Sequence, residues 1–531
     1  MNSNRKIVTF NEINDRVLKY KTILDQKDVA LERLMGFVTQ LSAEDEKELD
    51  SAVQLTSYGA PDGRRIERTE VNKQLREHFE LEPGVAQTYL RNIFAHLTPA
   101  EKLELQNMKA VNCRIRDEFD LAMTKGNKKS IAIASKNLSD ATMAFFGFLL
   151  TKNIPFILEV TSEIGIKNYL HTYSGGLGVL MGDKHKVATD MEIPLITFAI
   201  LPEHGYGAQK IDTRNFSQVS FPDKWEATRS PALFPLDDEI TIPSNPAFGD
   251  GKPTKAKVFV NGHVGKSGFI NPVFYFSTYH CKENNYEQRQ ITEQLYPSFS
   301  RKLASQYGLA QLVISMVDYF HIKPAIFNLN EGHAAMLPIM MMRKYLEEKG
   351  LVFDQENGIT EVARKNKDLL VEALNWVKDQ LAFVTHTIDR SAFDCYNEVQ
   401  VRNVLDNRDL NTIFAMVSKY FPERKDFNGW GQLQKNDFSN YGISLPEIAI
   451  FFCTVANAVA KIHEGVTEER VFPKQAEKIH NVTNAIHSDS WWGKAKDLVN
   501  DFRPWLRDVK TDYASGFKVL LLKNVAAFRN A

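Results

Sequence analysis

Cysteine is scarce in this sequence: four residues in 531, Cys113, Cys281, Cys395 and Cys453, far apart and never in CxxC spacing. That excludes a disulfide framework and a thiolate zinc site, and fits buried or incidental thiols in a reducing compartment. An excess of one charge is missing too. Lys and Arg number 65 against 66 Asp and Glu, interspersed along the chain. No broad positive field is therefore offered to nucleic acid or to an anionic membrane, and a neutral or small-molecule ligand is expected. Long apolar runs are absent. Residues 193–201 and 449–459 are the most apolar stretches, too short or too interrupted to span a bilayer. The opening Met-Asn-Ser-Asn-Arg-Lys leads into no signal-peptide core, so the expected location is the cytoplasm. No internal repeat, low-complexity tract or His/Cys/Asp/Glu cluster with metal-ligand spacing is found, and no metal is expected.

What is present is ample apolar sequence, 43% of the chain, enough for two to four domains or subdomains. Residues 1–150 read as a mostly helical N-terminal segment. Val17, Tyr20, Ile23 and Leu24 follow helical spacing, as do Leu31, Leu34, Met35 and Val38. Thr98 with Pro99 looks like a helix start. Near residue 154 the character changes. Short apolar strands at 154–160 and 193–201 flank a glycine turn and a helix-compatible run to Met191, which makes a βαβ unit and an α/β domain with parallel strands. Residues 325–329 and 381–385 read as further buried strands. Between them, residues 237–280 read as an antiparallel insertion, with Asn261-Gly262 as its hairpin turn. A long helix is expected over 445–462, opened by Ser444, Pro446 and Glu447. A helical segment closes the chain over 493–531, too apolar at Trp491, Trp492, Phe502, Trp505 and Leu506 for a free tail.

Two features carry chemistry. Gly175, Gly176, Leu177 and Gly178 open a helix, where glycines permit positive φ and free N–H groups face a phosphate or sugar oxygen. A plain structural turn is the competing reading. Asn330-Glu331-Gly332-His333 follows a buried strand, so it lies at the carboxyl end, where open α/β sheets bind ligands. Glu331 and His333 suit sugar hydroxyls, and Gly332 leaves room for close approach. A helix-capping carboxylate and a satisfied core histidine are the alternatives.

Thr161-Ser162-Glu163-Ile164-Gly165, then Tyr173-Ser174-Gly175-Gly176-Leu177-Gly178-Val179-Leu180-Met181-Gly182-Asp183, resembles the signature region of bacterial-type α-glucan (glycogen/maltodextrin) phosphorylases. Ala188-Thr189-Asp190, Gln288-Arg289-Gln290-Ile291-Thr292, the Asn330–His333 motif, Thr385-His386-Thr387, Val459 to His463 and Asn481 to His487 continue the match in family order over residues 155–492. The resemblance implies the N-terminal lobe of a two-lobed, GT-B-like phosphorylase fold, spanning 151–492 here. It implies that Glu163, the glycine turn, Asn330, Glu331, His333 and His386 surround substrate, with His386 contacting the glucosyl unit; for His463 and His487 a structural role is equally open.

The resemblance also has gaps. Pro297-Ser298-Phe299 stands where the family has Gly-Gly-Asp, and Asn484-Ala485-Ile486-His487 replaces Asn-Gly-Val-His. No glycine-rich Asn-Met-Lys segment of the kind that binds pyridoxal phosphate occurs, so the cofactor lobe is expected to be missing and the isolated chain to hold no cofactor and no catalytic residue of its own. Three readings follow: one subunit of a split phosphorylase whose protein partner brings the cofactor lobe, a non-catalytic glucan-binding or regulatory protein, or a fold kept for assembly. The expected ligand is an α-glucan or glucosyl phosphate, and a protein partner or a homo-oligomer covers the open cleft face.

Overall fold

The first helix begins where its sequence places a start. In this computed structural model Thr98 caps α1 (Pro99–Lys125): its hydroxyl accepts from the Glu101 N–H, and the Glu101 carboxylate takes the Thr98 N–H in return. Helix α2 (Lys128–Thr151) follows under an Asn127 cap. The structure describes residues 93–492 apart from 168, 212–217, 222–224, 244–251, 354–358, 390–392, 421–441, 483 and 485. The helices read over 10–92 and 493–531 lie outside the described residues. The chain divides into two compact units, Leu97–Asn484 and Met1–His96 with Ala485–Ala531.

The strands are β1 (Ile157–Val160), β2 (Leu195–Ile200), a small hairpin of β3 (Ala208–Ile211) and β4 (Gln218–Phe221), β5 (Pro235–Ile242), β6 (Thr254–Val264), β7 (Ile270–Ser277), β8 (Ile326–Asn330), β9 (Leu381–Thr385), the pair β10 (Cys395–Asn397) and β11 (Gly442–Ser444), β12 (Val455–Ala458) and β13 (Ile479–Asn481). The main sheet runs β13-β12-β9-β8-β1-β2-β7-β6-β5. From β13 to β7 every neighbour is parallel; β6 and β5 continue it antiparallel. The fold is thus mixed α/β with a parallel-dominated sheet, and its parallel strands end along one edge. Helices cover both faces, as buried parallel strands require. Helix α3 (Gly176–Asp190) connects β1 to β2 and meets the sheet through His185 Nδ1 on Thr197 Oγ1, 2.9 Å apart. On the other face Phe146 of α2 packs edge-to-face on Phe274 at 5.0 Å, and α4 (Phe299–Tyr319) buries Leu309, Leu312 and Val313 in the same core.

Two sequence expectations fail here. Asn261-Gly262 is not a turn: both residues lie inside β6, which continues to Val264, and the chain reverses over 265–269, with Gly268 at φ +85°. Gly262 answers packing instead, since a Cβ there would stand 2.6 Å from the Thr142 hydroxyl of α2. The three antiparallel strands therefore extend the main sheet. Nor is there one helix over 445–462. Helix α5 (Leu445–Phe452) stops, Val455–Ala458 enters the sheet between β9 and β13 as β12, and α6 (Lys461–Val466) follows. Lys478 Nζ donates to the Ile450, Phe451 and Cys453 carbonyls at 2.9, 3.1 and 2.9 Å, satisfying groups that the ended helix leaves open. Ser444 holds the N-cap position without a side-chain cap bond. Among the described residues no helix is long and apolar enough to cross a membrane.

Candidate functional site

The carboxyl ends of β1, β8 and β9 turn polar together: Thr161-Ser162-Glu163, Asn330-Glu331 and Thr385-His386-Thr387. Register explains the meeting. Glu159 of β1 lies level with Asn328 of β8, and Asn330 lies level with Val384 of β9, so the strands finish within a residue or two of one another.

Glu163 is the first anchor. Buried to 1% exposure, its carboxylate accepts from the Ser174 N–H at 2.5 Å, the Ser174 hydroxyl at 3.0 Å and the Tyr296 hydroxyl at 2.9 Å. It therefore pins the start of the glycine turn to the end of β1. The glycines do not use positive φ: Gly175 is extended at φ −155°, and Gly176 and Gly178 are helical. Their role is space. Gly175 and Gly176 face open solvent, whereas a Cβ on Gly178 would stand 2.4 Å from Tyr173 Cβ and 3.1 Å from the Glu163 carboxylate. Leu177 is half-buried beside them. At the next turn of α3, a Cβ on Gly182 would come within 2.0 Å of the Gly165 carbonyl.

Around Asn330 a second group forms. Its Nδ2 donates to Thr161 Oγ1 at 3.1 Å and its Oδ1 accepts from His386 Nε2 at 2.8 Å. With the proton on Nε2, the neutral ring leaves Nδ1 as an acceptor. Glu331, at φ +55°, turns its Oε1 to the His386 N–H and, at 3.2 Å, to the Thr387 hydroxyl. It therefore ties β8 to β9 and does not cap a helix. Burial pushes its carboxyl up to about 7, against the lowering pull of those hydrogen bonds from His386 and Thr387. Gly332 gives its room to α5: a Cβ would meet Pro446 Cδ at 3.0 Å and Leu445 Cβ at 3.2 Å.

His333 completes the set, its Nδ1 2.9 Å from Ser162 Oγ and its ring 5.9 Å from that of Tyr296. Burial holds both His333 and His386 down at about 4, so both are neutral at physiological pH. Glu163 and His333 thus share Tyr296, while Asn330 and Glu331 share His386. His463 is buried on α6 and adds to the pressure on His386 to stay neutral. His487 belongs to the other unit, where its Nδ1 meets the Ser490 hydroxyl at 2.8 Å.

Several members carried no role in the sequence reading. Tyr296 and Ser162 stood inside motifs without an assigned task. Lys302 bonds Asp394 Oδ1 at 2.6 Å, and Gln306 bonds its Oδ2 at 2.6 Å. Lys302, Ser305 and Gln306 line a void of about 10 Å³ with Ser162 and His333, room for about one water. Polar residues at i, i+3 and i+4 within an otherwise apolar helix were the available signal for these; nothing marked Asp394.

No protein-family profile matches the chain. Individual relatives do. Maltodextrin phosphorylase of Thermococcus litoralis is 26% identical over 364 residues, 66% of this chain and 38% of that protein. Glycogen phosphorylase of Mycobacterium tuberculosis is 25% identical over 62% of this chain and 36% of its own length, and that of Aquifex aeolicus 24% over 63% and 44%. The chain is similar to glucan phosphorylases. It spans less than half the length of these curated relatives, and at 24–26% identity it is a diverged counterpart of their shared portion. This phosphorylase-like chain therefore invites a carbohydrate reading of its strand-end cluster.

Proposed function

We propose that this phosphorylase-like protein binds an α-glucan or glucosyl phosphate at the strand-end cluster, that the Leu97–Asn484 unit is the glucosyl-holding lobe of a GT-B-like architecture, and that phosphorolysis requires a partner polypeptide bearing the cofactor lobe. The observation that carries the reading is the convergence of Glu163, Asn330, Glu331, His333 and His386 at one sheet edge beside the first turn of α3. His386 Nδ1 is the acceptor for a sugar hydroxyl, and the N–H groups opening α3 receive a sugar or phosphate oxygen. Neutral imidazoles and pinned carboxylates suit an uncharged hydroxyl-rich ligand.

Pyridoxal phosphate, the cofactor of the resembled family, needs a lysine amine free to form an imine. Among the described residues, Lys184 and Lys302 reach this region, and neither fits. Lys184 Nζ bonds Glu159 Oε2 at 2.5 Å, and Lys302 Nζ is held by Asp394. The lysine that would hold the cofactor belongs to the proposed partner.

One observation favours a non-catalytic binding or assembly role: each polar atom of the Asn330 amide already makes a bond within the fold, to Thr161 and to His386. Titration calorimetry of the full chain with maltoheptaose and with glucose 1-phosphate tests the proposal. Binding is expected, and His386→Ala is expected to weaken it. Adding a co-purifying, cofactor-bearing polypeptide together with inorganic phosphate is expected to release glucose 1-phosphate from maltoheptaose and leave maltohexaose. Binding without release selects the non-catalytic reading; no binding of either sugar overturns the proposal.

A further inference from the structure

We propose that Tyr206 is a stacking platform for a second sugar ring, one unit away from the strand-end cluster, and that it sets a preference for oligosaccharides over a single hexose. The inference rests on the glucan-binding reading above. Tyr206 follows β2, the neighbour of β1, at the same edge of the sheet as Glu163. It is 62% exposed, yet its ring meets Tyr296 at 5.6 Å and 82°. Single exposed aromatics are ordinary on protein surfaces. This one differs in its neighbour, because Tyr296 is itself fixed to Glu163 through its hydroxyl and faces His333 through its ring.

In an edge-to-face pair each ring gives up at most one face, so Tyr206 keeps at least one for a ligand. Its loop is anchored. The Glu203 N–H donates to the Glu293 carbonyl at 3.0 Å, the Ala227 N–H donates to the Glu203 carbonyl at 2.9 Å, and the buried Glu203 carboxylate takes the Thr228 hydroxyl at 2.6 Å. A ring presented on a fixed loop loses little freedom on binding. The C–H groups on one side of a glucose ring offer an apolar face that matches an aromatic ring, while its hydroxyls remain for His386 and the α3 N–H groups. Tyr296 is half-enclosed and committed to Glu163, so of this pair Tyr206 is the ring left to do this.

Titrating the full chain with glucose, maltose and maltotriose separates this inference from the glucan-binding reading. Wild type is expected to bind more tightly as the sugar lengthens. Tyr206→Ala is expected to weaken maltotriose about tenfold and leave glucose unchanged, whereas Tyr206→Phe keeps the wild-type pattern, since the ring and not the hydroxyl does the stacking. Equal melting temperatures of the three proteins confirm that the exposed substitution leaves the fold intact. Wild-type binding with Tyr206→Ala equal to wild type on maltotriose overturns the platform alone. A wild type that binds none of the sugars overturns the glucan-binding reading and the platform with it.

Discussion

The two halves of the main sheet use buried polarity differently. Where β1, β8 and β9 end, Glu163, Asn330, Glu331 and His333 are buried and bonded to one another's loops. Along β6 and β7 the interior is given to packing: all eight residues of β7 are buried, Phe274 and Phe276 lie edge-on to Phe198, and Gly262 lets α2 approach. Buried polar groups are costly unless paired; β6 and β7 bury Thr254, Asn261, Asn271 and Ser277 but no carboxylate, so the coupled cluster with Glu163 and Glu331 at the carboxyl ends of β1 and β8 marks where the fold departs from simple packing. The lesson is that the two halves should fail differently when perturbed.

The largest effect is expected at Gly182. An alanine there drives Cβ into the Gly165 backbone carbonyl, which has no side chain to turn aside, and should cost at least about 3 kcal/mol in urea unfolding. Next comes Glu331. Folding raises its carboxyl to about 7 from an ordinary 4.5, so between those values the folded protein keeps a proton that the unfolded chain has released. That contribution to stability is complete below pH 4.5 and lost as pH rises through 7, up to about 3 kcal/mol. Glu331→Gln should remove it, so wild type minus variant falls across that window in pH-dependent denaturation. The neighbouring His333 and His386, held at about 4, contribute with opposite sign, above 6.5 and lost as pH falls through 4, and cancel in the difference. A flat difference curve would remove the special standing of the polar edge.

Gly262→Ala, in the apolar half, meets side-chain atoms, the Thr142 hydroxyl at 2.6 Å and Ile270 Cγ2 at 2.8 Å, which can shift further than a backbone carbonyl, and a loss of about 1–2 kcal/mol is expected by the same urea measurement. A cost equal to that of Gly182→Ala would erase the contrast between the halves. Smallest of all is Lys136→Ala, which breaks an exposed i,i+4 pair with Asp140 on α2 and should shift stability by less than about 0.5 kcal/mol.

Much of the polar edge was legible in advance because local sequence signals strand ends well. An apolar run followed by Asn-Glu-Gly-His or Thr-His-Thr has few other placements in an α/β sheet, and strand, glycine turn, helix and strand from 154 to 201 force a parallel neighbour. Asn261-Gly262 misled because the same pair that favours a tight turn also suits a strand crossed closely by a helix. The 445–462 segment misled because Val455–Ala458 is apolar enough for either state, and pairing with β9 and β13 decides the matter.

The chain's own residues thus determined the βαβ start, the α1 cap, the strand-end motifs and the likeness to glucan phosphorylases, since each rests on neighbours in sequence. Only the tertiary structure decided that Tyr296 joins Glu163 to His333, that Lys302 finds Asp394, and that Tyr206 stands beside them. Those partners lie between 37 and 133 residues apart, and a hydrogen bond or ring contact depends on strand register and helix placement that no local pattern encodes.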